Sequence, residues 1–419
     1  MTTSTVLPEP ASSERLHALD AVRGFALLLG VGFHAALAFL PGPQAWLVME
    51  QSRSTTLAII AFPVHMFRLT AFFLIAGFFA RLLLERVGPG GFAANRAKRI
   101  ALPLILFWPL VMAGIVAAMI WLGAKTAVPG QPPMPAPPFP TFPDFPLTHL
   151  WFLYALLLLY AGALVLRGLL ATVDRGGKVA GLADRIVTLV MSTPAAPLLI
   201  ALAIVPALAA HKVWPMWYGL PTPDQSLIPQ LAPAIAYALA FLVGWMLNRQ
   251  IKVLKRWAAI WPATLALALA TTAAALAIVG PTNATGLPAA DWTTTAYYYC
   301  YVVGAWAWTM ALTGLAMRYL SERSPARRYI ADASYWVYIV HLPIVLALQV
   351  AFSQSALHWT ITFPAILGGS FLLCFLTYHL LVRCSFIGGL LNGRRYRRDA
   401  SAPPSGDGTA ANAVEGISQ

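Results

Sequence analysis

The sequence predicts an all-α polytopic membrane protein of about ten transmembrane helices with both termini in the cytoplasm, and three observations predict it. The 419-residue chain is 59% hydrophobic and only 10% charged, with a mean hydropathy of +0.70, which is too apolar for a soluble domain. Its apolar residues gather into ten runs long enough to cross a bilayer, at 21–41, 57–84, 100–123, 148–168, 194–211, 229–248, 257–280, 295–317, 330–352 and 360–382. Lys and Arg then alternate from loop to loop. One set of loops carries Arg81, Arg86, Arg96, Lys98 and Arg99, then Arg167, Arg175, Lys178 and Arg185, then Arg249, Lys252, Lys255 and Arg256, then Arg318, Arg323, Arg327 and Arg328. The intervening loops hold only Arg53, Lys125 and Lys212. That bias places the basic loops and both ends of the chain inside.

The net charge of +13 is explained by these topology signals, so a nucleic-acid partner is not expected. Cys300, Cys374 and Cys384 lie in or beside apolar runs without metal-ligand spacing, so neither a disulfide framework nor a metal site is expected. Residues 1–20 carry Glu9, Glu14, Arg15 and Asp20 and read as a cytoplasmic N-terminal segment rather than a secretory signal. Residues 21–385 form the transmembrane domain, and 386–419 a basic and then disordered cytoplasmic tail.

Taken in order, the first run holds Arg23 and His34, which an eleven-residue step places on one helical face about 16 Å apart along the axis. Arg23 follows Asp20 by three positions, so it either pairs with Asp20 and snorkels or holds an anionic donor group. His34 lies deeper. A neutral imidazole there is either a satisfied core group or a base that takes the proton of an acceptor hydroxyl near pH 7. The second run places His65 and Arg68 at i,i+3, followed by Phe72-Phe73-Leu-Ile-Ala-Gly77-Phe78, in which Gly77 permits close helix approach. The third opens on Arg96 and Arg99 and then Pro103; the two arginines act either as a positive-inside anchor or as a phosphate clamp.

The Pro/Phe-rich stretch 126–147 cannot be helical and is expected as a polyproline II strap outside, with an aromatic surface for sugars as the alternative. His149 and Trp151 suit an interfacial belt at the start of the fourth run. In the ninth, Tyr338 and His341 share a face, either as a second polar wall of the same cavity or as a packing hydrogen bond. No Asp or Glu falls in the middle of any run, so a carboxylate proton relay is absent and His34 lacks an acid to orient it. Its orienting partner is expected to be a tyrosine, a backbone carbonyl, a histidine such as His341, or a loop acid such as Asp291.

The Arg23/His34 pair, the Phe-Phe-x-x-x-Gly-Phe run, the Arg-x-x-Arg-then-Pro entry and the ten spans together resemble the membrane acyltransferase-3 family over about residues 14–385. The His65/Arg68, His149-Leu-Trp151 and Tyr338/His341 segments are most similar to its glucan biosynthesis protein C branch, implicated in succinylating periplasmic glucans. The resemblance implies transfer of an acyl group, succinyl or acetyl, from cytoplasmic acyl-CoA to a glycan hydroxyl. It implies His34 as the catalytic histidine with Arg23 its companion, and Arg96/Arg99 as the acyl-CoA-binding residues. His65, Arg68, Trp151, Tyr338 and His341 would line the cavity. It further implies a multi-pass protein of the bacterial inner membrane, with acyl-CoA as co-substrate, no other cofactor, and glucan-synthesis proteins as partners. One departure is Ala76, which stands where many members carry Ser before the glycine. The rival class is a flippase or transporter of a lipid-linked sugar, in which Arg23, Arg68 and His34 grip pyrophosphate.

Overall fold

The computed structural model describes residues 12–42, 46–127, 140–210, 217–220, 222, 225–282 and 292–393. Among them the chain is helical and no strand forms; one isolated bridge joins Asp144 and Ser226. The helices are α1 (Ser12–Leu37), α2 (Thr55–Arg96), α3 (Leu102–Thr126), α4 (Trp151–Val173), α5 (Lys178–Met191), α6 (Ala196–Ala209), α7 (Leu231–Leu247), α8 (Ile251–Val279), α9 (Trp292–Tyr319), α10 (Pro325–Phe352), α11 (Trp359–Thr377) and α12 (Phe386–Asn392). Each of the ten apolar runs falls on a helix, but among the described residues seven helices are long and apolar enough to cross a membrane, or up to eight if one bent pair is a single span.

The difference has local causes. The second and third runs belong to one continuous helical stretch of 72 residues, Thr55–Thr126, which if straight would measure about 108 Å, over three times a bilayer core. It breaks at Gly88, whose φ of 70° and ψ of 176° only glycine adopts readily, and a π turn at Ala97–Ala101 leads into α3. The fifth run is the 14-residue α6, about 21 Å long. It meets α5 at 114°. The basic segment ahead of α6 is therefore itself a helix. In α5, Val179, Leu182, Ile186 and Leu189 are exposed along one stripe while Asp184 pairs with Arg249 at 2.7 Å. That pattern suits a helix lying along the headgroup boundary.

Glycines set the closest packing. A Cβ on Gly77 would collide with the Phe241 carbonyl oxygen, and one on Gly244 with that of Leu74, so α2 and α7 meet backbone to backbone. Gly77→Ala is expected to force the helices apart and cost about 1–3 kcal/mol, read as a lower unfolding temperature in detergent. An unchanged midpoint would show that the seam yields.

Polar contacts fix the levels of the helices. At one end, Gln349 of α10 donates to the His34 and Ala35 carbonyls near the end of α1 at 3.0 and 3.2 Å. There also Lys125 of α3 donates to the Val350 and Ala351 carbonyls at 2.8 and 3.0 Å. These groups satisfy carbonyls that a helix C-terminus leaves open. At the other end, the Tyr335 hydroxyl donates to the Arg99 carbonyl at 2.7 Å. Thus α1, α3 and α10 run parallel, with the basic segments gathered at their starts. Of the Pro/Phe stretch, residues 128–139 lie outside the described residues. Its end is pinned by Phe145 N–H to the Gln225 carbonyl and Leu227 N–H to the Pro143 carbonyl.

Candidate active site

His34 sits one turn before the end of α1, and the structure brings His65, His149, His341 and Arg68 within electrostatic reach of it. Four helical regions supply these groups: α1, α2, the 3-10 turn Thr148–Leu150 that opens α4, and α10.

The hydrogen bonds assign the tautomers. His341 Nδ1 lies 2.8 Å from the Tyr338 carbonyl oxygen, which only accepts, so Nδ1 carries the proton. In the neutral ring Nε2 is then a bare lone pair, and it lies 2.9 Å from His34 Nδ1. His34 Nδ1–H therefore donates to His341, and the His34 lone pair is left on Nε2. The two rings are nearly parallel, 5.1 Å apart, and Trp46 covers His34 from another side at 5.6 Å. Trp46 Nε1–H donates to Gln349 Oε1 at 2.9 Å, and Gln349 is fully buried, so one side chain ties the tryptophan to the backbone of His34.

His149 is held in the same way. Pro343 has no N–H for the Ile339 carbonyl one turn earlier, and His149 Nε2–H donates to that carbonyl at 3.0 Å. Its Nδ1 is thereby the acceptor nitrogen, buried and without a hydrogen-bond partner among the described residues. The ring meets His341 edge-on at 4.9 Å, and the Tyr338 hydroxyl donates to the His149 carbonyl at 2.6 Å.

Phe33 separates this trio from a second group. There His65 Nδ1 lies 2.8 Å from the Tyr301 hydroxyl and the ring packs on Tyr218 at 4.3 Å. The Arg68 guanidinium lies 4.9 Å from the centre of the Phe33 ring, with Nη1 against Gly30. Arg68 is 7% exposed. Tyr237, Tyr301, Tyr338 and Tyr218 are its electrostatic partners, and no carboxylate pairs with it among the described residues. Despite four histidines, no group of His, Cys, Asp or Glu among the described residues is placed to hold a metal ion.

The remaining expected residues lie elsewhere. Trp151 packs with Phe73 and Tyr237, behind the cluster rather than on the histidines. Arg23 pairs with Asp20 at 3.0 Å at the basic end of α1. Arg96 bonds to Asn95 at 2.7 Å and lies over Phe92 and Tyr160, while the Arg99 guanidinium packs on Gly393. His149, expected in an interfacial belt, is instead in the buried cluster at 8% exposure, and Gln349 and Trp46 are additions. Asp291, named as a loop acid that could orient His34, lies outside the described residues.

The centre of the helical bundle thus holds an imidazole with an oriented lone pair and a guanidinium that meets no carboxylate among the described residues. Residues 16–379 match the acyltransferase domain of the acyltransferase-3 family, so the chain belongs to that family and is an acyltransferase. It is similar to the proteins named Glucans biosynthesis protein C of Escherichia coli (strain SMS-3-5 / SECEC) and Shigella dysenteriae serotype 1 (strain Sd197). In both cases identity is 26% over 151 residues, covering 36% of this chain and 38% of the relative. The similarity thus spans little more than a third of the length of these relatives. No solved structure matches the chain.

Proposed function

We propose that the protein is a multi-pass O-acyltransferase of the bacterial inner membrane. It moves an acyl group from cytoplasmic acyl-CoA to a hydroxyl of a periplasmic or cell-surface glycan, a glucan by preference, and works beside the proteins that make that glucan. In this reading the chain crosses ten times with both termini and the arginine-rich end in the cytoplasm, and His34 lies toward the opposite side.

The observation that carries the reading is the Tyr338–His341–His34 chain, because it leaves one imidazole lone pair, His34 Nε2, held in a fixed orientation inside the membrane. His34 Nε2 takes the proton of the acceptor hydroxyl as its oxygen attacks the thioester carbonyl carbon. The carbon–sulfur bond breaks and the leaving thiolate takes that proton back from His34, so no carboxylate relay is required. Arg68 supports a dicarboxylic acyl group such as succinyl, because a buried guanidinium without an acid can pair with the far carboxylate of the donor. The printed names of the relatives support a glucan acceptor.

The test is purified protein in lipid nanodiscs with succinyl-CoA or acetyl-CoA and a glucan. Glucan-dependent thiol release with ester mass on the glucan is expected. Movement of a lipid-linked sugar without thiol release would overturn the reading in favour of a flippase. Arg68→Gln is expected to lower the preference for succinyl over acetyl about tenfold or more, the worth of one charge-assisted pair. An unchanged ratio would remove Arg68 from donor selection.

A further inference from the structure

At the basic end of the bundle two clefts that share residues open at the start of α10, one toward the start of α1 and the other toward the segment that follows α11. One, about 300 Å³, is lined by Asp20 and Arg23 of α1 and by Arg323, Arg327, Arg328 and Asp332. The other, about 370 Å³, shares Arg323, Arg328 and Asp332 and adds Arg383, Tyr329 and Tyr378. Five arginines face three acids, counting Glu322, and Asp20 is taken by Arg23 at 3.0 Å. The start of α10, capped by Ser324, adds the positive end of a 28-residue helix. Of the two arginines named from the sequence as a phosphate clamp, Arg96 bonds to Asn95 through one Nη and lies over Tyr160 with its Nε unbonded among the described residues, and Arg99 lies against Gly393.

Resting on the acyl-CoA reading above, we propose that this α1/α10 cleft holds the phosphorylated adenosine end of the donor, with Arg323 and Arg328 as the principal phosphate ligands. Tyr329 gives the cleft an aromatic edge for a nucleobase, with the fully buried Tyr378 packed edge-on behind it at 5.5 Å, and the guanidinium forks match phosphate oxygens. The reach agrees. Arg23 and His34 are about 16 Å apart along α1. About thirteen bonds separate the inner phosphorus of coenzyme A from its sulfur, and at the roughly 1.2 Å per bond of an extended chain they span about 16 Å. The α1 face between the two carries Leu27 and then Gly30, whose missing side chain lets Arg68 Nη1 pack directly against the helix. A donor anchored at the cleft would thus present its thioester at the depth of His34.

The test is coenzyme A binding to the full chain in phosphatidylcholine nanodiscs, with 3′,5′-adenosine bisphosphate and inorganic phosphate as competitors. Arg323 and Arg328 are exposed, so the R323Q/R328Q double variant should keep the wild-type unfolding midpoint, and R323K/R328K serves as the charge-preserving control. The expected result is binding weakened tenfold or more in R323Q/R328Q, largely retained in R323K/R328K, and competed by the nucleotide far better than by phosphate. Binding that survives R323Q/R328Q but is lost in R96Q/R99Q would overturn the site while leaving the acyl-CoA reading standing. Competition by phosphate as effective as by the nucleotide would reduce the cleft to a general anion site. Absence of coenzyme A binding in the wild type, with phosphatidylglycerol retained by it and lost from R323Q/R328Q, would assign the cleft to a lipid headgroup and overturn both.

Discussion

His34→Gln is expected to lower acyl transfer by about 10²–10⁴-fold, the usual worth of a positioned general base, while leaving the protein folded and inserted. Glutamine can still donate from its amide to His341 Nε2, the bond His34 Nδ1 makes at 2.9 Å, so the contact between α1 and α10 has a substitute. Its side chain has no nitrogen lone pair of imidazole basicity to take the hydroxyl proton. The readouts are thiol release from the donor and ester groups on the extracted glycan, alongside elution volume and unfolding midpoint. Wild-type ester levels in the variant would sink the assignment of His34 as base. The same variant separates the two roles of the α1 face. Coenzyme A binding should persist when His34 is replaced, because the cleft proposed to hold it lies about 16 Å away at the other end of the helix.

The fold was legible where hydropathy decides it and less so where backbone detail does. Each apolar run falls on a helix because a lipid-facing backbone must satisfy its own hydrogen bonds. The breaks and bends were not legible: Gly88 interrupts a continuous 72-residue stretch, and α5 carries its apolar residues on one stripe rather than throughout. At the site, the spacing of Arg23 and His34, and of His65 and Arg68, was readable because both pairs are local to one helix. The partner of His34 was readable only as a choice among kinds, since His341 is 307 residues distant and periodicity carries no information about which helices meet. His149 was placed at the interface for the company of Trp151. The signal that could have moved it inward was Pro343, which frees the Ile339 carbonyl inside a helix and so demands a donor from elsewhere. Gln349 gave no signal of its own, because its use is to meet carbonyls at the end of α1, and these are exposed as acceptors only once that helix is known to stop.

His341→Phe is the second large effect, expected to lower kcat about 10²–10³-fold, with the KM for the acyl donor changed by no more than about twofold. The loss of a base's orienting partner in hydrolases of similar logic reaches about 10⁴, through the wrong tautomer. The reason lies in the order of the bonds. The Tyr338 carbonyl fixes the proton on His341 Nδ1, His341 Nε2 then fixes the proton on His34 Nδ1, and only that order leaves His34 Nε2 free to accept. Phenylalanine fills the ring volume but accepts no hydrogen bond, so His34 becomes free to rotate or to exchange tautomers. His341→Gln retains an oxygen acceptor and should recover a substantial part of the lost rate, which a purely packing role would not predict. A direct readout is ¹⁵N NMR of histidine-labelled protein, where the His34 Nε2 signal should be that of a non-protonated nitrogen in the wild type and shift toward a tautomer average in His341→Phe. Full activity in His341→Phe, or an Nε2-protonated His34 in the wild type, would show that the pair only packs α1 against α10, and the base would then have to be sought at His149 Nδ1, a buried acceptor nitrogen without a hydrogen-bond partner among the described residues.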